Sequence, residues 1–193
     1  LLIRRTLAEP IRGLNENKQV PEALVPFKQV LALLWSRKSF RHMALAAGLN
    51  AFAAYGTLNW LASFFIRSHG MTTGELGTWL ALSTGLFGAI GVFAGGMIVD
   101  KLAPRDKRWY MWLPAIAGFI SLSFTMAVYL TSSQYTALIL AFIPGLLFNV
   151  YLGTTIATSH ALVGQRMRAT ASAILFLILN IIGLGLGPWS VGM

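Results

Sequence analysis

Cysteine is absent from the chain, so no disulfide framework, thiolate nucleophile or cysteine-bound metal can be built from it. Acidic residues are also scarce, six in 193, and none falls inside the long uncharged stretches that dominate the sequence. His42–Ile66, Leu76–Val99, Trp109–Gln165 and Ala169–Met193 contain no Asp, Glu, Lys or Arg. Intramembrane or buried ionisable groups are the usual carriers of chemistry, and the interior of these stretches offers no Asp, Glu, Lys or Arg. The inventory therefore argues against an enzyme. His42 and His160 lie far apart in sequence, each near the end of a run. They suit interfacial or hydrogen-bonded roles; neither a metal site nor a cofactor is expected.

The uncharged stretches themselves carry the fold. An apolar helix needs about 20 residues to cross the hydrocarbon of a bilayer, and the runs are 25, 24, 57 and 25 residues long. Thr131-Ser132-Ser133-Gln134 divides the longest into two. Five spans are expected, at about 42–66, 76–99, 109–130, 135–163 and 169–193, which makes an all-α polytopic membrane helix bundle. A composition with 56% hydrophobic residues and 19 glycines agrees, since glycine is frequent in membrane helices. Soluble readings are excluded.

Charge then orients the bundle. Residues 1–41 hold eight Lys and Arg, 100–108 hold four and 166–168 hold two, leaving only Arg67 for the other side. Short loops rich in Lys and Arg stay cytoplasmic, so residues 1–41 are expected in the cytoplasm, with the plasma (inner) membrane as the location. The formal charge of +9 thus records topology, and no nucleic-acid partner is needed to explain it.

Residues 4–41 read as a polar linker punctuated by Pro10, Gly13, Pro21 and Pro26. Within it Phe27, Val30, Leu31 and Leu34 recur at i, i+3, i+4, i+7, the pattern of a short amphipathic helix on the membrane surface, or of a lead-in turn to the next span. Leu1-Leu2-Ile3 before Arg4-Arg5 reads as the last turn of a preceding span, and the chain is expected to be a fragment. Thr72-Thr73-Gly74-Glu75 is a capping-box pattern that starts the second span. Gly88, Gly91 and Gly95, with Gly85 before and Gly96 after, form a small-residue stripe that lets another backbone approach.

Neutral polar groups also recur at helical spacing. Tyr151, Thr154, Thr155 and Thr158 follow i, i+3, i+4, i+7 on the fourth span, and Tyr55, Asn59 and Ser63 follow i, i+4, i+8 on the first. Such stripes either line an aqueous cavity or form hydrogen bonds between helices. Asn50, Asn149 and Asn180 are single amides inside spans, each costly unless bonded, and packing bonds are expected for them.

The run Gly96-Met97-Ile98-Val99-Asp100-Lys101, followed by Arg105, Lys107 and Arg108, resembles the loop motif of the major facilitator superfamily. Ala103 stands where that motif has its second glycine. Glu9-Pro10-Ile11-Arg12-Gly13, Trp60-Leu61-Ala62-Ser63-Phe64-Phe65-Ile66-Arg67-Ser68-His69-Gly70, and Arg166-Met167-Arg168-Ala169-Thr170-Ala171 leading to Asn180-Ile181-Ile182-Gly183-Leu184-Gly185-Leu186-Gly187-Pro188 are similar to the spinster-like branch. The resemblance implies helices seven to eleven of a twelve-helix transporter, its C-terminal half, with the tail of helix six. The N-terminal half of the same protein would be its partner. It implies a secondary transporter working by alternating access on an amphipathic lipid-like or small organic solute, surrounded by membrane lipids. A non-transporting scaffold or receptor on the same helices is the alternative. Gly96, Asp100, Lys101, Arg105 and Arg108 would form the conformational motif, with Asp100 as a latch. Tyr55, Asn59, Ser63, Tyr151, Thr154, Thr155 and Thr158 would line the cavity.

Overall fold

A computed structural model describes residues 25–193; the expected tail of helix six and the Glu9–Gly13 stretch lie outside them. Every regular element among the described residues is helical. We number them α1 (Phe27–Ser36), α2 (Lys38–His69), α3 (Thr73–Leu102), α4 (Trp109–Leu130), α5 (Gln134–Ala161) and α6 (Gln165–Gly192). The last four are long and apolar enough to cross a membrane. The 32-residue α2 is longer than any of them; Asn50, Tyr55 and Asn59 dilute its apolar character.

Local chemistry sets the helix ends. Gly70 closes α2 with φ +66°, in the left-handed region that a side chain disfavours. Two residues later the capping box opens α3. The Glu75 amide donates to Thr72 Oγ1 at 3.4 Å, and the Thr72 amide donates to Glu75 Oε2 at 3.3 Å, which satisfies donors that a helix start leaves unbonded. Between α4 and α5 the chain turns at Thr131 and Ser133, both extended.

The amphipathic stripe of α1 does form a helix, but half of it faces protein. Val30 and Leu34 are fully buried against Ala171, Ile174 and Leu175 at the start of α6, whereas Phe27 and Trp35 remain about half exposed. The helix is thus docked on the end of the bundle as well as being amphipathic.

Two apolar clusters close the two ends of the bundle. One joins α1 and the first half of α2 to α6 around Phe40, Met43 and Leu175. The other joins the end of α2 to α3, α4 and α5 around Phe65, Leu76 and Leu138. Outside, Phe93, Phe119 and Leu130 are 70%, 76% and 79% exposed, a surface that suits lipid.

Because lipid removes the hydrophobic incentive between helices, close backbone contact has to supply it. Two helix pairs achieve this with glycine. On α3, Gly91 and Gly95 lie against the carbonyls of Leu146 and Val150 of α5, and a Cβ on Gly95 would sit 2.6 Å from the Val150 oxygen. On α6, a Cβ on Gly187 would sit 2.6 Å from the Phe52 carbonyl of α2, and one on Gly183 would sit 2.7 Å from Ala51 Cβ. Gly85 and Gly96, by contrast, face open space.

A candidate solute cavity between two glycine-packed helix pairs

Three of the long helices lose regular α geometry partway along. Residues Ala81–Leu86 of α3 and Asn180–Leu186 of α6 are π-helical, and α5 is interrupted between Gln134–Leu147 and Val150–Ala161. At each break a polar side chain takes up a carbonyl. The Asn149 amide nitrogen of the backbone donates to Leu146, and its Nδ2 donates to Gly145 O at 2.9 Å, replacing the helical bond that the turn removed. Thr84 Oγ1 and Ser83 Oγ donate to Leu80 O at 2.6 and 3.3 Å, and Asn180 Nδ2 donates to Phe176 O at 2.7 Å.

These breaks surround one cavity of about 240 Å³. Ser83 and Thr84 come from the first, Phe148 and Asn149 from the second, and Asn180 from the third. Irregular backbone inside a membrane is tolerated where protein or a cavity covers it, so the coincidence has a physical reason. Ala51 and Leu179 of one end cluster and Leu61, Val128 and Ala141 of the other reach its wall. The cavity therefore lies between the two apolar plugs. No side chain in its wall is charged; apolar atoms predominate, with hydroxyls and amides between them.

The expected cavity residues separate into groups. Tyr55 and Tyr151 stand in the wall. Thr154 and Thr155 are 2% and 4% exposed, and both donate at 2.7 Å to the Tyr151 carbonyl; Thr158 donates to Thr154 O at 2.8 Å. Asn59 is exposed and donates to Tyr55 O at 2.8 Å. Ser63 borders a second hollow with Trp60, Phe64, Arg67 and Tyr129. Sequence spacing did not single out Thr57, Ser83, Thr84, Thr125 or Tyr129, all of which line the cavity; Thr57 comes from α2, Ser83 and Thr84 from the π turn of α3, and Thr125 and Tyr129 from α4.

The loop-motif residues gather at the end of α3. Asp100, Lys101, Arg105 and Arg108 are exposed, and Gly96 is partly buried with open space beside it. Ala103, at the position of the motif's second glycine, is buried in a right-handed helical conformation that needs no glycine. Asp106 Oδ1 accepts the Arg108 amide at 2.8 Å, whereas Asp100 makes no hydrogen bond or ion pair among the described residues. His160 Nε2 lies 2.7 Å from Ser172 Oγ, linking α5 to α6, and His42 is exposed.

The sequence profile of the Major Facilitator Superfamily matches residues 1–188. An MFS-type efflux pump of Mycolicibacterium smegmatis is 29% identical over 160 residues, which is 83% of this chain and 37% of that protein. Two crystal structures of a bacterial homologue of the human lysosomal transporter Spinster are similar. The inward-facing, unoccupied form shows a TM-score of 0.72 and 29% identity, covering 97% of this chain and 39% of that one. The inward-facing, occupied form shows 0.66 and 33%, covering 81% and 32%. The chain thus spans well under half the length of these relatives, which are transport proteins and not enzymes. With four membrane-length apolar helices among the described residues, it is an integral membrane protein.

Proposed function

The chain belongs to the Major Facilitator Superfamily, and from that membership we propose that the protein is a secondary active transporter in which these helices form the C-terminal half. The two halves rock around a midplane site, exposing it to each side in turn. Residues 1–41 and the loops at 100–108 and 166–168 face the cytoplasm. The N-terminal half supplies the opposite wall and the charged groups that couple transport to an ion gradient, since the interiors of the spans here hold no Asp, Glu, Lys or Arg. The solute is an amphipathic lipid-like or small organic molecule. One observation carries this reading: an uncharged, mostly apolar cavity lies between the end plugs, where α3, α5 and α6 break their α geometry. Tyr55 and Tyr151 present polar atoms to the solute. Asp100, unpaired among the described residues at the wet end of α3, is available to a partner on the other half.

Flux tests the proposal. Full-length protein in proteoliposomes, offered fluorescent single-chain amphiphiles and uncharged organic solutes under an imposed proton or sodium gradient, is expected to move a subset of them. Leu58→Trp, which intrudes on the cavity from a partly exposed position, is expected to suppress that flux at unchanged protein level. Flux indifferent to either gradient would remove secondary active transport. No flux of any solute would favour the scaffold reading.

A further inference from the structure

Hydroxyls inside these helices mostly bond to their own backbone. Thr84, Ser123, Thr154, Thr155, Thr158 and Ser190 each donate to a carbonyl three or four residues earlier. Thr125 and Ser121 of α4 do not. Their hydroxyl oxygens are buried and have no hydrogen-bond partner among the described residues, and Ser121 is fully buried. The two lie one turn apart on the same face of α4, and Thr125 stands in the cavity wall.

A third orphan lies across the seam. Asn50 Oδ1 of α2 is also buried without a partner among the described residues, and its Nδ2 lies 3.8 Å from where a Cβ on Gly118 would be, one turn before Ser121. A buried polar atom left unbonded costs roughly 1–3 kcal/mol, and such groups ordinarily find a partner. Three such atoms lie along one seam, and one of them belongs to Thr125, a residue of the cavity wall.

We propose that Thr125, backed by Ser121 and Asn50, is a hydrogen-bonding subsite for an uncharged polar group, a hydroxyl or an amide, of the solute. This deepens the transport reading and rests on it. The chemistry of the wall selects against charge. An ammonium or carboxylate here would lose its hydration and meet no counter-ion, because no charged side chain lines the cavity. A hydroxyl or primary amide both donates and accepts, which a threonine hydroxyl, itself donor and acceptor, can match. Leu58, Leu61, Phe148, Leu152 and Phe176 then take the apolar remainder. This half accordingly holds the neutral part of an amphiphile, and any charge on the solute is held elsewhere.

Four probes with one eight-carbon scaffold separate the possibilities: 1-octanol, octanamide, octanoate and octyltrimethylammonium. Their dissociation constants are read from saturable shifts in the melting temperature of purified full-length protein. Octanol and octanamide are expected to bind at least tenfold more tightly than the two ions. Thr125→Val, nearly isosteric, is expected to weaken the neutral pair about tenfold, the loss of one hydrogen bond in a dry site, and to leave the ions unchanged. Ser123→Ala, whose hydroxyl bonds its own helix, should change nothing. Equal affinity for neutral and charged probes, or neutral-probe binding indifferent to Thr125→Val, would overturn the subsite while leaving the cavity standing. Failure of all four probes to bind would instead count against the cavity itself, and the subsite with it.

Discussion

The indole Nε1 of Trp60 donates a 3.0 Å hydrogen bond to the carbonyl of Pro188. The bond ties α2 to α6 near the end of the helix pair that Gly183 and Gly187 bring together. The same indole lies where a Cβ on Gly192 would approach within 2.5 Å, so ring and backbone are in contact over more than the bond. Replacing Trp60 with Phe keeps part of the ring contact and removes the donor. Interhelical bonds in membranes are worth about 1 kcal/mol, and Trp60→Phe should lower stability by roughly that much, read as a lower unfolding midpoint for full-length protein in detergent. An unchanged midpoint would mean that the glycine contacts alone hold this pair.

Glycines that resemble one another in sequence should differ sharply in tolerance. A methyl on Gly91 runs into the Leu146 carbonyl, whereas one on Gly96 meets nothing within 4 Å. Gly91→Ala is expected to cost ~1–3 kcal/mol through overpacking. Gly96→Ala should be neutral or slightly stabilising, because alanine favours helix by up to ~1 kcal/mol. Unfolding midpoints of the two variants check this, and similar losses for both would contradict the packing of α3 on α5.

Asp100→Asn should leave folding intact, since the carboxylate is exposed and makes no bond among the described residues. If Asp100 latches one conformational state against the other half, turnover should fall. A change of ~1.4 kcal/mol in state preference alters the population ratio tenfold. Arg67→Gln, at the far end of α2, controls for loss of charge alone. Equal turnover and equal accessibility labelling in Asp100→Asn and wild type would remove the latch.

Orientation can be read by labelling. Cysteine introduced as Ser133→Cys should react with a membrane-impermeant maleimide from outside intact cells, and Arg105→Cys only after permeabilisation. No cysteine within these 193 residues competes. The opposite pattern would reverse the topology inferred from the Lys and Arg distribution.

Features set by near neighbours in sequence were legible before the structure. The Thr72–Glu75 box needs only a three-residue spacing, and the packing of Gly88, Gly91 and Gly95 on one neighbour needs only the helical period. The cavity wall was less accessible, for two reasons. Spacing alone loses phase: residues eight apart differ by about 80° around a helix, so Tyr55 and Ser63 border different hollows. The ends of the Tyr151 stripe, Tyr151 and Thr158, lie within about 20° of each other, yet spacing cannot say that Thr154 and Thr155 between them bond back to the Tyr151 carbonyl. Thr125 and Tyr129 enter from α4, where Ser121, Thr125 and Tyr129 recur at i, i+4, i+8, the spacing of Tyr55, Asn59 and Ser63, a signal in the sequence that was passed over. Nothing in the residues at 81–86 or 180–186 announces π geometry.

The two π turns also act as phase shifters. A π turn holds one residue more than an α turn, so the segment beyond it is rotated by about 100° relative to an uninterrupted helix. Gly88, Gly91 and Gly95 follow the turn at Ala81–Leu86, and their alignment with α5 presupposes that rotation. Deleting one residue from 81–86 would restore a regular helix with every local hydrogen bond made, and would swing the glycine face away from Leu146 and Val150. The same holds for Gly187 beyond Asn180–Leu186 and its seat on Phe52. In these two stretches the number of residues matters more than their identity: a reading frame shortened by one codon would be locally more helical and globally misassembled.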